Sequence, residues 1–153
     1  MKLVVMNLMN YEMLKLDNQL CFALYTCSKE ITKLYTPYLA EVGITYTQYI
    51  TLLALWEKDD ITVKMLGETL RLGNGTLTPL LKKLENQGLI QRIRNKENER
   101  NVFLRLTEAG KAMKDKAVEI PGKVICGSNL DIECALHLKE ELKQLLTKLD
   151  NKY

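Results

Sequence analysis

Between Leu70 and Gly110 the chain passes from a four-leucine helical pattern straight into two short, basic, strand-like segments, and few folds accept that succession. Leu77, Leu80, Leu81 and Leu84 recur at helical spacing, which makes one apolar face and leaves Thr76, Lys82 and Lys83 on the other. Gly88 stands where a helix-terminating glycine is expected, so the spacing predicts a helix over roughly 75–87. Leu89 to Arg94 and Val102 to Leu106 have strand composition, with the polar turn Asn95 to Asn101 between them. A leucine-backed helix followed by a cationic ribbon is the form of a winged helix-turn-helix. Its helix enters the major groove of duplex DNA, and its ribbon tip reaches the neighbouring backbone or minor groove.

The distribution of charge carries this reading better than its total. A formal +3 over 153 residues is too small to imply nucleic acid. Residues 82–105, however, hold seven bases (Lys82, Lys83, Arg92, Arg94, Lys96, Arg100, Arg105) against three acids (Glu85, Glu97, Glu99). A patch of that density neutralises phosphates and releases their counterions. A solvated hairpin would explain the charge alone, but not its coincidence with helix and ribbon. We therefore expect Asn74, Thr76, Thr78, Lys82 and Lys83 to present the recognition helix, and Arg94, Lys96 and Arg100 to supply ribbon and phosphate contacts.

The length suits one domain with one sizeable core. No apolar run is long enough to span a membrane, and the first residues lack a signal-peptide pattern, so a cytoplasmic protein is expected. There its four cysteines (Cys21, Cys27, Cys126, Cys134) start out reduced and do not form a structural disulfide framework.

Helical signals dominate the remainder, and the ribbon supplies the only convincing strands. A first helix is expected from about Leu16 to Leu39, with Leu20, Phe22, Ala23, Leu24, Ile31 and Leu34 apolar and Pro37 in its last turn. Thr45 and Gln48 are spaced as a capping box, and Ile44 and Tyr49 as a hydrophobic staple. The helix they open faces inward through Tyr49, Leu52, Leu53 and Trp56. Thr62 caps a short third helix with Val63, Leu66 and Leu70 inward. After the ribbon, Thr107 caps a fifth helix that fades at Pro121-Gly122, and a last helix spans about Asp131 to Leu149. There Ala135, Leu138, Leu142, Leu145 and Leu149 alternate by three and four, the seam of a coiled-coil-like contact. Packing on the chain's own body is one use of that seam. A second copy explains more, because twofold readers set their recognition helices about 34 Å apart. The expected organisation is a mainly α protomer with a small β-ribbon, residues 1–44 and 107–153 forming dimerisation helices and 45–106 the winged helix-turn-helix.

Taken together, these residues resemble the multiple antibiotic resistance regulator (MarR) family over nearly the whole chain, including the ribbon end Leu104-Arg105-Leu106-Thr107-Glu108-Ala109-Gly110. Leu16-Asp17-Asn18-Gln19-Leu20-Cys21-Phe22-Ala23-Leu24-Tyr25 narrows the resemblance to the organic hydroperoxide resistance regulators. Ile44-Thr45-Tyr46-Thr47-Gln48-Tyr49 and Gly75 to Lys83 are similar to them too. The resemblance implies a homodimeric repressor that binds operator DNA while Cys21 is reduced and leaves it when an organic hydroperoxide oxidises that thiol. Tyr35 and Tyr46 match tyrosines that hydrogen-bond the sulfur across the dimer interface, and Tyr25 matches a third. Hydroxyl donors favour the thiolate, which is the species that attacks peroxide. By the same resemblance, oxidation ends in a mixed disulfide with a low-molecular-weight thiol or in an intersubunit disulfide, for which Cys126 is the leading candidate and Cys134 the next. Cys27, six positions after Cys21, points away from it on a helix. Two departures stand out. Asn98 replaces an acid common at the ribbon, and Gly73-Asn74 replaces an acid and a serine before the recognition helix.

Other readings of the same residues remain open. Cys21 could be a small packed residue, as most free cysteines are, in a repressor released instead by a small aromatic ligand. A thiol peroxidase would need a substrate cleft and a regenerating partner that the sequence does not advertise, so no enzyme is expected. Cys134 and His137, spaced i, i+3, could serve a metal sensor with Cys126, but without a CxxC pair they are a weak signal. No cofactor or metal is expected.

Overall fold

A computed structural model describes residues 11–94, 102–128 and 131–150. The turn carrying Lys96, Asn98 and Arg100 lies outside the described residues. Seven α-helices and three strands are formed among those described: α1 (Leu20–Glu41), α2 (Tyr46–Glu57), β1 (Ile61–Thr62), α3 (Val63–Leu70), α4 (Asn74–Asn86), β2 (Ile90–Arg94), β3 (Val102–Leu106), α5 (Glu108–Ala117), α6 (Ile120–Gly127) and α7 (Ile132–Asp150). The chain is mainly helical with a small antiparallel sheet, and its centre is a winged helix-turn-helix.

The core lies where α2, α3, α4 and the sheet meet. Leu52, Leu55, Leu66, Leu77, Leu81, Leu84 and Leu104 are enclosed there. The α2 start is the capping box expected from its sequence. Thr45 Oγ1 accepts from the Gln48 amide while Gln48 Oε1 accepts from the Thr45 amide at 2.8 Å. Ile44 and Tyr49, the staple pair, are both buried. Gly67 brings α4 onto α3, since a Cβ there would lie 2.9 Å from Leu77 Cδ1.

The wing is anchored from behind. Thr107 caps α5 by accepting from the Gly110 amide, and its hydroxyl donates to the Gly88 carbonyl at 2.6 Å. Trp56 Nε1 donates to the Gly110 carbonyl at 2.9 Å. A Cβ on Gly110 would sit 2.0 Å from the Leu89 carbonyl oxygen, so only glycine fits.

Several sequence expectations need correction. The sheet has a third strand: β1 pairs with β3, giving the order β1-β3-β2. The first helix does not run from Leu16. A 3₁₀ turn at Leu16–Asn18 precedes α1, with Gln19 extended between them. Asn18 and Gln19 turn their side-chain amides back onto the carbonyls of Glu12 and Met13, which competes with helix continuation. α1 then passes through Pro37 to Glu41, and the chain turns at Gly43 with φ +74°. In α2 it is Leu55 that is buried, whereas Leu53 is exposed. Pro121 does not end a helix but stands in the first turn of α6, where its missing N–H costs nothing.

Of the helices expected to dimerise, α5 and α6 pack on the core through Ala117, Ile120 and Val124, while much of α1 and α7 is left uncovered in a single chain. Of α1 only Leu39 is buried, and Leu20, Tyr25 and Ile31 are exposed. α7 buries none of its residues, and Leu136, Leu138, Leu146 and Leu149 are exposed along it. Of the expected seam, Leu138 and Leu149 are exposed while Ala135, Leu142 and Leu145 are half-buried, so packing on the chain's own body covers the seam only in part.

Candidate functional site

The outward face of α4 carries Asn74, Thr76, Thr78, Lys82 and Lys83, all exposed, above the buried Leu77, Leu80, Leu81 and Leu84. Gly73 is the N-cap residue and Asn74 the first helical residue, so Asn74 does not cap the helix. No side chain caps that end, where the Thr76 and Leu77 amides both donate to the Gly73 carbonyl. Thr78 spends its hydroxyl proton on the Asn74 carbonyl at 2.9 Å, keeping only acceptor capacity for a partner.

The two expected ribbon strands pair antiparallel, from Ile90 opposite Leu106 to Arg94 opposite Val102. Two of its arginines, however, are engaged within the protein. Arg92 Nε donates to Glu85 Oε2 at 2.8 Å and its Nη2 shares that oxygen, while its backbone amide reaches Glu85 Oε1 at 3.3 Å. Arg105 Nη2 donates to Asp60 Oδ2 at 2.8 Å. The basic face is therefore Lys82, Lys83 and Arg94, which are exposed and enter no ion pair among the described residues. The other two arginines position the wing. Hydrogen bonding to the Arg92 guanidinium holds the Glu85 carboxyl below its usual range, so the latch from α4 to β2 is intact at neutral pH and lost only in acid.

The turn between α3 and α4 is fastened to the last helix. Arg71, in the left-handed region at φ 54°, donates through both Nη atoms to Asp150 at 2.7 and 2.6 Å. This fork fixes a direction as well as a distance between α7 and the helix-turn-helix.

The cysteine helix divides into two ends. At one end Cys21 and Tyr25 are exposed, with Lys29 Nζ 6.0 Å from the Tyr25 ring centre. At the other, Tyr35 meets Tyr46 edge-to-face with ring centres 5.2 Å apart, and Tyr49 joins at 5.8 Å from Tyr35. Burial pushes the phenols of Tyr35 and Tyr49 above their usual range, with Tyr46 adding to it, so both stay protonated donors at neutral pH. Fourteen residues separate Cys21 from Tyr35, or about 21 Å of helix axis. The fold brings the tyrosines together and leaves Cys21 far from them in its own chain. Cys27, Cys126 and Cys134 are exposed too, with Cys126 on α6 and Cys134 on α7. Among the described residues no group of three or more His, Cys, Asp or Glu side chains could hold a metal.

Tyr49, Glu85 and Asp60 were not singled out in the sequence for these roles. Tyr49 lies three residues after Tyr46, on the same helical face, which was a usable signal. The Asp60–Arg105 pair spans 45 residues and leaves no local trace.

The family model of the SarA/Rot transcriptional regulators matches residues 33–117. The organic hydroperoxide resistance transcriptional regulator of Bacillus subtilis is 50% identical over 142 residues, covering 93% of this chain and 97% of its own. The HTH-type transcriptional regulator SarZ of Staphylococcus epidermidis is 44% identical over 133 residues, covering 87% and 90%. The fold also matches reduced AbfR bound to DNA, with a TM-score of 0.74 and 36% identity over 92% of this chain and 98% of that one. Such identity along nearly the full length of both chains, on a fold solved in contact with DNA, settles the family: the chain belongs to the organic hydroperoxide resistance branch of the MarR family and is a redox-sensing, DNA-binding transcriptional regulator.

Proposed function

We propose that the chain is a homodimeric repressor that holds its operator while Cys21 is a thiol and releases it when an organic hydroperoxide oxidises that sulfur. The observation that carries this is the division of α1. Cys21 and Tyr35 are nearly four turns apart, hence on one face of the helix, and the Cys21 end of that face is uncovered. A second α1 running antiparallel would bring each Cys21 against Tyr35 and Tyr46 of the partner subunit, with Tyr25 one turn away. Protonated phenols aimed at the sulfur favour the thiolate. The thiolate attacks one peroxide oxygen, the O–O bond breaks, and the alkoxide leaves to take up a proton as the alcohol. The sulfur is oxidised to a sulfenic acid and the peroxide is reduced. Apolar Leu20, Phe22 and Leu24 around the site suit an alkyl peroxide.

In the bound state Asn74, Thr76, Thr78, Lys82 and Lys83 face the major groove, and Arg94, Lys96 and Arg100 hold the backbone beside it. After oxidation, a low-molecular-weight thiol or a second cysteine condenses with the sulfenic acid, releasing water. Cys126 cannot do so within its own chain. The next residue, Gly127, lies against Tyr38, whose position on α1 is about 25 Å of helix axis from Cys21, and a disulfide needs Cα atoms within about 7 Å. A bridge through Cys126 therefore joins two subunits, and Cys134 on α7 is the other candidate for that role. Each subunit is oxidised once per signal and is restored by thiol reduction, so the peroxide acts on it as a signal and not as a substrate.

The experiment is a titration of the operator complex with cumene hydroperoxide. Release is expected at about one equivalent per subunit, with one oxygen or one thiol adduct at Cys21 by mass spectrometry and recovery on thiol reduction. A complex that survives excess oxidant contradicts the reading. The rival, a repressor released by a small aromatic ligand, has grooves beside the recognition helix in its support. A groove of about 240 Å³ lies between α3, α4 and the wing, lined by Lys64, Thr78 and Arg92 among others. It is smaller than the usual ligand pocket of about 300–1,000 Å³. A second groove of about 500 Å³, lined by Lys64, Glu68 and Asn74 among others, is open and holds few apolar side chains. Release by such a ligand under fully reducing conditions would favour the rival.

A further inference from the structure

The tyrosine cluster and the recognition helix are joined by a short chain of side-chain amides. Gln48 stands two residues after Tyr46 and is 3% exposed, one of two buried polar side chains among the described residues. Its Oε1 accepts from the Thr45 amide at 2.8 Å, and its Nε2 donates to Gln87 Oε1 at 2.6 Å. Gln87 is the C-cap residue of α4, and its own Nε2 donates to the Gly43 carbonyl at 2.9 Å. Two hydrogen bonds to Gln87 thus tie the turn after α1 and the first turn of α2 to the end of the DNA-reading helix, and the third holds Gln48 to the α2 cap.

We infer that the Gln48–Gln87 pair is the positioning device that carries a change at the tyrosines to the recognition helix. The inference rests on the reading of Cys21 as the sensor. The remainder of α4 is held mainly by leucine packing, which is non-directional and lets helices slide. The amide pair is directional, and its Gln48 end is locked to the turn that Tyr46 opens. A displacement of Tyr35 or Tyr46 at the interface moves that turn, and Gln87 either follows or loses a partner. A buried amide left without a partner is costly, so following is favoured. Two residues before Gln87, Glu85 holds Arg92 of the wing. Both DNA-contacting elements are therefore attached at the end of α4 that the relay grips.

The test uses the full-length dimer carrying Gln87→Ala or Gln87→Glu, both at an exposed position. Alanine removes the relay. Glutamate keeps the acceptor for Gln48 but sets a carboxylate oxygen against the Gly43 carbonyl. Operator Kd is measured for the reduced and the cumene hydroperoxide-treated protein, and the rate of Cys21 oxidation is followed by mass spectrometry. Both variants are expected to oxidise within about two-fold of the wild-type rate, while the ratio of oxidised to reduced Kd falls by about ten-fold, within the usual span of allosteric coupling. A merely structural Gln87 would weaken both redox states equally and leave the ratio intact, which overturns the relay alone. A wild type whose Kd ignores the oxidant overturns the sensing reading and the relay with it.

Discussion

A dimer carrying Cys21→Ser is expected to bind its operator within about two-fold of wild type and to remain bound at any dose of cumene hydroperoxide. The same dose should raise the wild-type Kd by about 100-fold, the upper part of the range for coupled sites. Serine keeps the size of the side chain and its hydrogen-bonding reach, but its hydroxyl is not ionised near neutral pH and does not attack peroxide. Three other cysteines are exposed, so the variant also asks whether any of them senses oxidant in place of Cys21. Fluorescence anisotropy of a labelled operator, read before and after oxidant, gives both numbers. Release that persists in the variant takes Cys21 out of the mechanism.

Gly110→Ala is expected to have the largest effect on stability. The new methyl would meet the Leu89 carbonyl oxygen at 2.0 Å, and neither partner is a flexible side-chain end. Gly110 also caps through its amide to Thr107 and accepts from Trp56 through its carbonyl, so moving α5 away loses two further hydrogen bonds. The cost is about 3 kcal/mol, the top of the range for overpacking. For a chain of this size that lowers Tm by roughly 10 °C at matched protein concentration. Operator binding should weaken as well, because β2 begins at this contact. An unchanged Tm would show that α5 is not seated against the wing as described.

Local signals were the legible ones. The leucine face of α4, the capping box at Thr45 and the two ribbon strands are written in short stretches of chain, and the fold reproduces them. β1 escaped because two residues carry no periodicity, and pairing with β3 alone makes them a strand. The α5–α6 break was misread for a related reason: a proline marks a helix start as readily as an end, and only packing decides which. The basic count was right as arithmetic but not as a surface, since Glu85 and Asp60 take up Arg92 and Arg105 through contacts no local window contains. Tyr35 and Tyr46 were matched by resemblance, and the fold brings their rings together across the α1–α2 turn. The surroundings of Cys21 were not legible in the same way: in one chain the sulfur is exposed, and the proposed enclosure depends on a second copy.

Mixed dimers isolate that point. In one, the first subunit carries Cys21→Ser and the second carries Tyr35→Phe with Tyr46→Phe, so the surviving thiol faces intact tyrosines across the interface. In the other, one subunit carries all three replacements and its partner none, so the surviving thiol has tyrosines only on its own chain. Phenol donors aimed at the sulfur favour the thiolate that attacks peroxide, so their loss slows the oxidation, here by about ten-fold. The first dimer should therefore be oxidised by cumene hydroperoxide at the wild-type rate per thiol, and the second about ten-fold more slowly. Equal rates, or the reverse order, would contradict a sulfur held between two subunits.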